Sequence, residues 1–251
     1  MKYPGITFTF IFFTLINCSL FSQSWIQQTT NTNESVKYID FIDVNTGFAG
    51  CSNGIILKTT NSGTNWLIIN TGFNVNFISI KIFSINNIVA AGEKIIRSTN
   101  GGLNWTVIYD SSYANDISYL DLNRWFVSAN SPHSNILTTN GGVTWSSFNY
   151  SDFTQPSVFF INDNTGWISG KFVTGSLIPS HISKTTDKGL HWTTQYSQMS
   201  INNNAWIYDI LFNDLTRGFA LYWDFFETDI LSTTNGGLNW FNSLSNQAAD
   251  I

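Results

Sequence analysis

Five segments of this chain spell nearly the same phrase, and no other feature constrains its fold as strongly. They read "ILKTTNSGTNW", "IIRSTNGGLNW", "ILTTNGGVTW", "ISKTTDKGLHW" and "ILSTTNGGLNW", ending at Trp66, Trp105, Trp145, Trp192 and Trp240. The period is therefore 39 to 48 residues. Self-similarity at a fixed period marks stacked supersecondary units, and this length is that of a four-stranded antiparallel propeller blade.

The rest of each unit is legible upstream of the phrase. "SVKYIDFID", "NFISIKIFS", "NDISYLDLN", "PSVFFIND" and "IYDILFND" read as first, innermost strands, and "TGFAGC", "NIVAAG", "RWFVSA", "TGWISG" and "RGFALY" as second strands entered through a Gly or Asn turn. The third strand is "IILKTT" and its cognates, and the fourth starts at the Trp. Short runs rich in Ile, Val, Phe, Trp and Thr between Gly, Asn and Asp punctuation are strand-and-turn chemistry. The expected fold is an all-β propeller of five full blades, over about 31–72, 73–112, 113–152, 153–199 and 200–246.

Within each phrase a hydroxyl residue stands seven before the Trp, Asn or Asp five before and Gly three before. The sets are Thr59, Asn61, Gly63, Trp66; Ser98, Asn100, Gly102, Trp105; Thr138, Asn140, Gly142, Trp145; Thr185, Asp187, Gly189, Trp192; and Thr233, Asn235, Gly237, Trp240. Asn or Asp accepts hydrogen bonds from N–H groups of its own turn, and Gly allows positive φ. The Trp ring is large enough to floor the hairpin. Each element thus has a folding role. This spacing resembles the Asp-box, or bacterial neuraminidase repeat, of sialidase-like propellers, and the fuller phrase is similar to that of photosystem II assembly-factor-like propellers. The resemblance spans about residues 25–245. Asn replaces Asp in four copies, which favours hydrogen bonding over metal binding; no metal and no cofactor is expected.

The N-terminus, one Lys followed by an apolar run from Ile6 to Ile16, reads as a signal peptide over 1–22. The other reading is a lipoprotein signal with Cys18 as the lipidated residue. The run is shorter than the roughly 20 apolar residues of a membrane span. An exported mature chain without a transmembrane segment is expected, and Cys51 is then its one thiol, read as a buried strand-end residue. Charged residues are only 11% of the chain, with a net charge of −5 and no Lys/Arg cluster, which argues against nucleic-acid binding.

Trp25 looks like the start of a fourth strand with no blade before it. Since the fifth unit has its own fourth strand from Trp240, the count is five blades plus an orphan N-terminal strand. Two arrangements stay open, an incomplete open arc and a closed five-bladed ring.

Loops between second and third strands grow in the last three units, as "ANSPHSN", "GKFVTGSLIPSH" and "YWDFFETD". Elaborated loops on a regular scaffold are where function concentrates. The fifth-unit loop, with Tyr222, Trp223, Asp224 and Glu227, is the candidate ligand site: ring faces stack on sugars, and carboxylates take their hydroxyls. In the competing reading its aromatics, Trp223, Phe225 and Phe226, pack between blades. A sialidase-like glycoside hydrolase would need an Arg triad. The chain has three Arg residues, of which Arg97 shares its repeat position with Lys58 and Lys184, while Arg124 and Arg217 sit in turns. No catalytic residue is assigned. The expected function is a secreted, non-enzymatic protein- or glycan-binding scaffold; the alternative is the hydrolase.

Overall fold

The computed structural model describes residues 27–110, 113–129, 135–148, 153–172, 179–198, 205–223 and 228–243. Blade 1 consists of β1 (Val36–Phe41), β2 (Gly47–Cys51), β3 (Ile55–Thr59) and β4 (Leu67–Asn70). Blade 2 follows with β5 (Ser79–Ile82), β6 (Ile88–Ala91), β7 (Lys94–Ser98) and β8 (Thr106–Asp110). Blade 3 is β9 (Ala114–Tyr119), β10 (Trp125–Ala129), β11 (Asn135–Thr138) and β12 (Ser146–Phe148). Blade 4 is β13 (Phe153–Phe160), β14 (Gly166–Phe172), β15 (Ser180–Thr185) and β16 (Thr193–Gln198). Blade 5 is β17 (Trp206–Phe212), β18 (Gly218–Trp223), β19 (Thr228–Thr233) and β20 (Phe241–Asn242). Every sheet is a four-stranded antiparallel meander in chain order. No helix among the described residues is long and apolar enough to cross a membrane.

The hairpin between third and fourth strands is built alike five times. In blade 3, the Thr138 hydroxyl donates to Asn140 Oδ1 at 3.0 Å and accepts from the Gly142 N–H at 2.9 Å, while Asn140 Oδ1 accepts from the Thr144 N–H at 2.8 Å. Thr59, Ser98, Thr185 and Thr233 repeat this pattern within their own hairpins. The Gly three before each Trp has φ between 83° and 92°, and the residue before it is also left-handed in every copy. Three of those preceding residues are Gly101, Gly141 and Gly236; the other two, Ser62 and Lys188, hold φ of 59° and 66° despite their side chains. Asp187 accepts from the backbone N–H of His191 and from its ring, which draws its carboxyl down to about 2.

Three of the five second strands begin with Gly, for a packing reason rather than a turn. Phe41, Phe160 and Phe212 lie directly across the ladder from Gly47, Gly166 and Gly218. A Cβ at any of these glycines would come within 2.7 Å of the facing ring. The missing side chain is the space in which the aromatic lies.

Consecutive blades bury apolar faces against one another. Phe48, Ile56, Ile80 and Ile96 join blades 1 and 2; Val89, Ile95, Trp125 and Ile136 join blades 2 and 3; Phe126, Val158 and Phe160 join blades 3 and 4; Trp167, Ile182, Ile207 and Phe212 join blades 4 and 5. A cation on the third strand reinforces three of these four joints by donating to a carbonyl in the next blade's hairpin. Lys58 reaches Gly101 O at 2.9 Å, Arg97 reaches Gly141 O at 2.9 Å and Lys184 reaches Gly236 O at 3.2 Å. Leu137 takes that place in blade 3, and Lys188 takes the glycine's place in blade 4. Among the described residues no core joins blade 5 to blade 1, so the blades form an open arc. Cys51 is buried on blade 1, where burial, with help from Glu34, pushes its thiol up to about 11.

Candidate functional site

The five first strands converge on the axis of the arc, and each brings at least one polar side chain to it. Tyr38 comes from β1, Lys81 from β5, Asp116 from β9, Ser157 from β13 and Asp209 from β17. All but Ser157 line a cavity of about 450 Å³, and Ser157 lines an adjoining one of about 340 Å³. Lys81 Nζ donates to the Tyr38 hydroxyl at 2.5 Å and lies over its ring, with Asp116 3.9 Å away. Asp116 Oδ2 and Asp209 Oδ1 each lie 3.0 Å from Ser157 Oγ. One side-chain chain therefore runs through all five blades.

Backbone contacts fix these carboxylates. Asp116 accepts from the N–H groups of Ile117 and, across the joint, Val158; Asp209 accepts from that of Ile210. In blade 1, Asp40 reaches across to the N–H of Ile82. Burial pushes the Asp209 carboxyl above its ordinary value, and the neighbouring Asp116 adds to the effect. Burial also raises Tyr38 and Tyr119. Burial works against a charged Lys81, yet Asp116, Tyr38 and Asp40 outweigh it and its ammonium is held more firmly than usual.

A hydroxyl has one proton. Ser157 donates to one of its two carboxylate neighbours, and the contact with the other becomes a hydrogen bond only when that carboxyl is itself protonated. The raised Asp209 is suited to carry that proton. The axis thus combines a fixed cation, Lys81, a second lysine, Lys37, the carboxylates of Asp116 and Asp209, the latter held above its ordinary value, and tyrosine faces. That arrangement suits polar recognition by hydrogen bonds and charge.

The fifth-unit loop falls differently. Tyr222 is a strand residue whose side chain is buried in the core between blades 4 and 5, paired across the ladder with the buried Asp229. Trp223 is half-buried, its ring 6.3 Å from that of Tyr208. Asp224, Phe225, Phe226 and Glu227 lie outside the described residues, as do the expected signal peptide, Cys18 and Trp25. Arg97 ties blade 2 to blade 3, and Arg124 and Arg217 pair with Asp121 and Asp214 in their turns, so the three are not gathered in one site. The axial residues had a sequence signal that loop length concealed: "YIDF", "IKIF" and "YDIL" each place a charge inside an apolar first strand.

No family model and no curated protein matches this chain. Solved structures do. YCF48 bound to D1 peptide is 15% identical, with 88% of this chain and 85% of that one covered and a TM-score of 0.48. YCF48 from Cyanidioschyzon merolae is 18% identical over 87% and 88%, at 0.47. The GH74 enzyme of Niastella koreensis is 14% identical over 82% of this chain, at 0.63, and this chain spans 38% of its length. At such identity the likeness to the GH74 enzyme shows the fold alone, a β-propeller.

Proposed function

We propose that this chain is a non-enzymatic propeller that binds a protein or glycan partner at its axial cavity. The observation behind this reading is the side-chain chain Tyr38–Lys81–Asp116–Ser157–Asp209, to which every blade contributes once. A site assembled from all five blades reads a partner only when the arc is folded. Export of the chain, as its N-terminus suggests, belongs to the same proposal. The test is a screen of glycan and peptide arrays with the wild type, Asp116→Asn, Lys81→Met and Trp223→Ala. A hit should weaken at least tenfold in the two axial variants and stay unchanged in Trp223→Ala. The opposite pattern would move the site to the fifth-unit loop, and equal binding by all would refute both sites.

One observation favours the hydrolase reading. Asp116 and Asp209 oxygens lie within 6 Å of each other, since both are 3.0 Å from Ser157 Oγ, and retaining glycosidases place their carboxyl groups about 5–5.5 Å apart. Against it, Ser157 occupies the space between them, where a glycosidic bond would have to sit. Turnover of fluorogenic glycosides that disappears in Asp209→Asn would establish the hydrolase.

A further inference from the structure

The two ends of the arc expose apolar residues at positions that its inner joints bury. At the joint of blades 3 and 4, Phe126 of the second strand stacks on Phe160 of the next first strand, with centroids 3.5 Å apart and planes 7° apart. At the joint of blades 4 and 5, Trp167 stacks on Phe212 at 3.5 Å and 10°. Register identifies the corresponding residues at the ends. Phe41 faces Gly47 as Phe160 faces Gly166, and Phe219 follows Gly218 as Trp167 follows Gly166. Phe160 and Phe212 are 2% and 4% exposed, whereas Phe41 is 40% and Phe219 39% exposed. Exposed apolar side chains surround each: Ile39 and Ile68 on blade 1, Leu221 and Ile230 on blade 5.

The chain ahead of blade 1 points to the same neighbour. At three of the four joints inside the arc, the residue three after the Trp that precedes the fourth strand approaches the second hairpin glycine of the following blade. Ile69 approaches Gly102, Ile108 approaches Gly142 and Gln195 approaches Gly237. Gln28, three residues after Trp25 in sequence, lies in the same way at Gly63. Residues 27–30 therefore stand where the outermost strand of a preceding blade would stand.

We propose that this face binds a second copy of the chain head to tail. Blade 5 of one copy seats on blade 1 of the next, Phe219 stacks on Phe41, and residues 27–30 of the receiving copy lie beside β20. Such a contact is heterologous: it uses two different patches, so it continues into longer assemblies unless rotation closes it. The occupant follows from continuity with the joints inside the chain, because one copy supplies both surfaces that a joint requires.

The test is light scattering and native mass spectrometry of the full chain and of Phe41→Arg and Phe219→Arg, each first shown by circular dichroism to melt like the wild type. The wild type should exceed the 28.2 kDa monomer in a concentration-dependent way. Each variant alone should be monomeric. An equimolar mixture of the two retains one intact Phe219–Phe41 contact and should form a dimer that grows no further. A monomeric wild type, a mixture that stays monomeric, or one variant that still self-associates would each overturn the proposal. Should either variant fail to fold, Ile39→Arg and Leu221→Arg test the same two faces.

Discussion

Asp209 is the residue where folding and charge most directly oppose each other. Its carboxyl is raised by burial and by Asp116, so the fold favours the protonated form. The stabilisation is then complete at pH below the ordinary carboxyl value and is lost as pH rises through the raised one. Asp209→Asn, which keeps the shape and removes the charge, should therefore melt above the wild type at pH 7. A gain of about 1 kcal/mol corresponds to roughly 2–4 °C in a chain of this size. The gain should shrink as pH falls through the raised value and be gone well below about 4, where the wild-type carboxyl is protonated in both states. Scanning calorimetry of both proteins across pH checks this, and a pH-independent difference would refute it. The sequence shows the charge inside an apolar strand but not its surroundings. A lone Asp inside "YDIL" has no meaning until four other strands bring Tyr38, Lys81, Asp116 and Ser157 around it.

At the scale of the element, the roles of Asn and Gly in the hairpins are legible in the sequence, because their hydrogen bonds span at most four residues, whereas the bonds of the hydroxyl emerge only in the structure. Thr138, Asn140 and Gly142 bind one another, and no distant part of the chain is needed to interpret them. Replacing Thr138 by Val leaves the buried Gly142 N–H without its acceptor and should cost about 1–3 kcal/mol in urea unfolding. Thr138→Ser should lose far less, since Ser98 does the same work in blade 2. Lys188 invites the opposite experiment: it sits at φ 66° where three other hairpins place glycine. Lys188→Gly should stabilise the protein by about 1 kcal/mol through relief of the left-handed backbone, and an unchanged urea midpoint would refute this. The glycines that open the second strands were read less well. Their purpose depends on an aromatic in the neighbouring strand, and only pairing reveals that Gly166 exists for the ring of Phe160.

Over the whole molecule, the strands of each blade pack, among the described residues, on those of neighbouring blades, so stability is a sum over blades and joints. The joint between blades 3 and 4 differs from the rest. Among the described residues its core has three buried members, and Leu137 and Lys188 stand where the other joints have a cation and a glycine carbonyl. The Arg124–Asp163 pair that crosses it is half exposed and contributes little. Hydrogen exchange under mild denaturant should therefore resolve two cooperative units, blades 1–3 and blades 4–5, the second opening at lower free energy. Exchange of all protected amides at one common free energy would refute that division.

The open arc also determines how the molecule bears force. In a closed ring a load has two routes from any blade to any other. Here a pull on the two ends has a single route, and every joint carries the full tension in series. The rupture force is then that of the weakest joint, however strong the others are made.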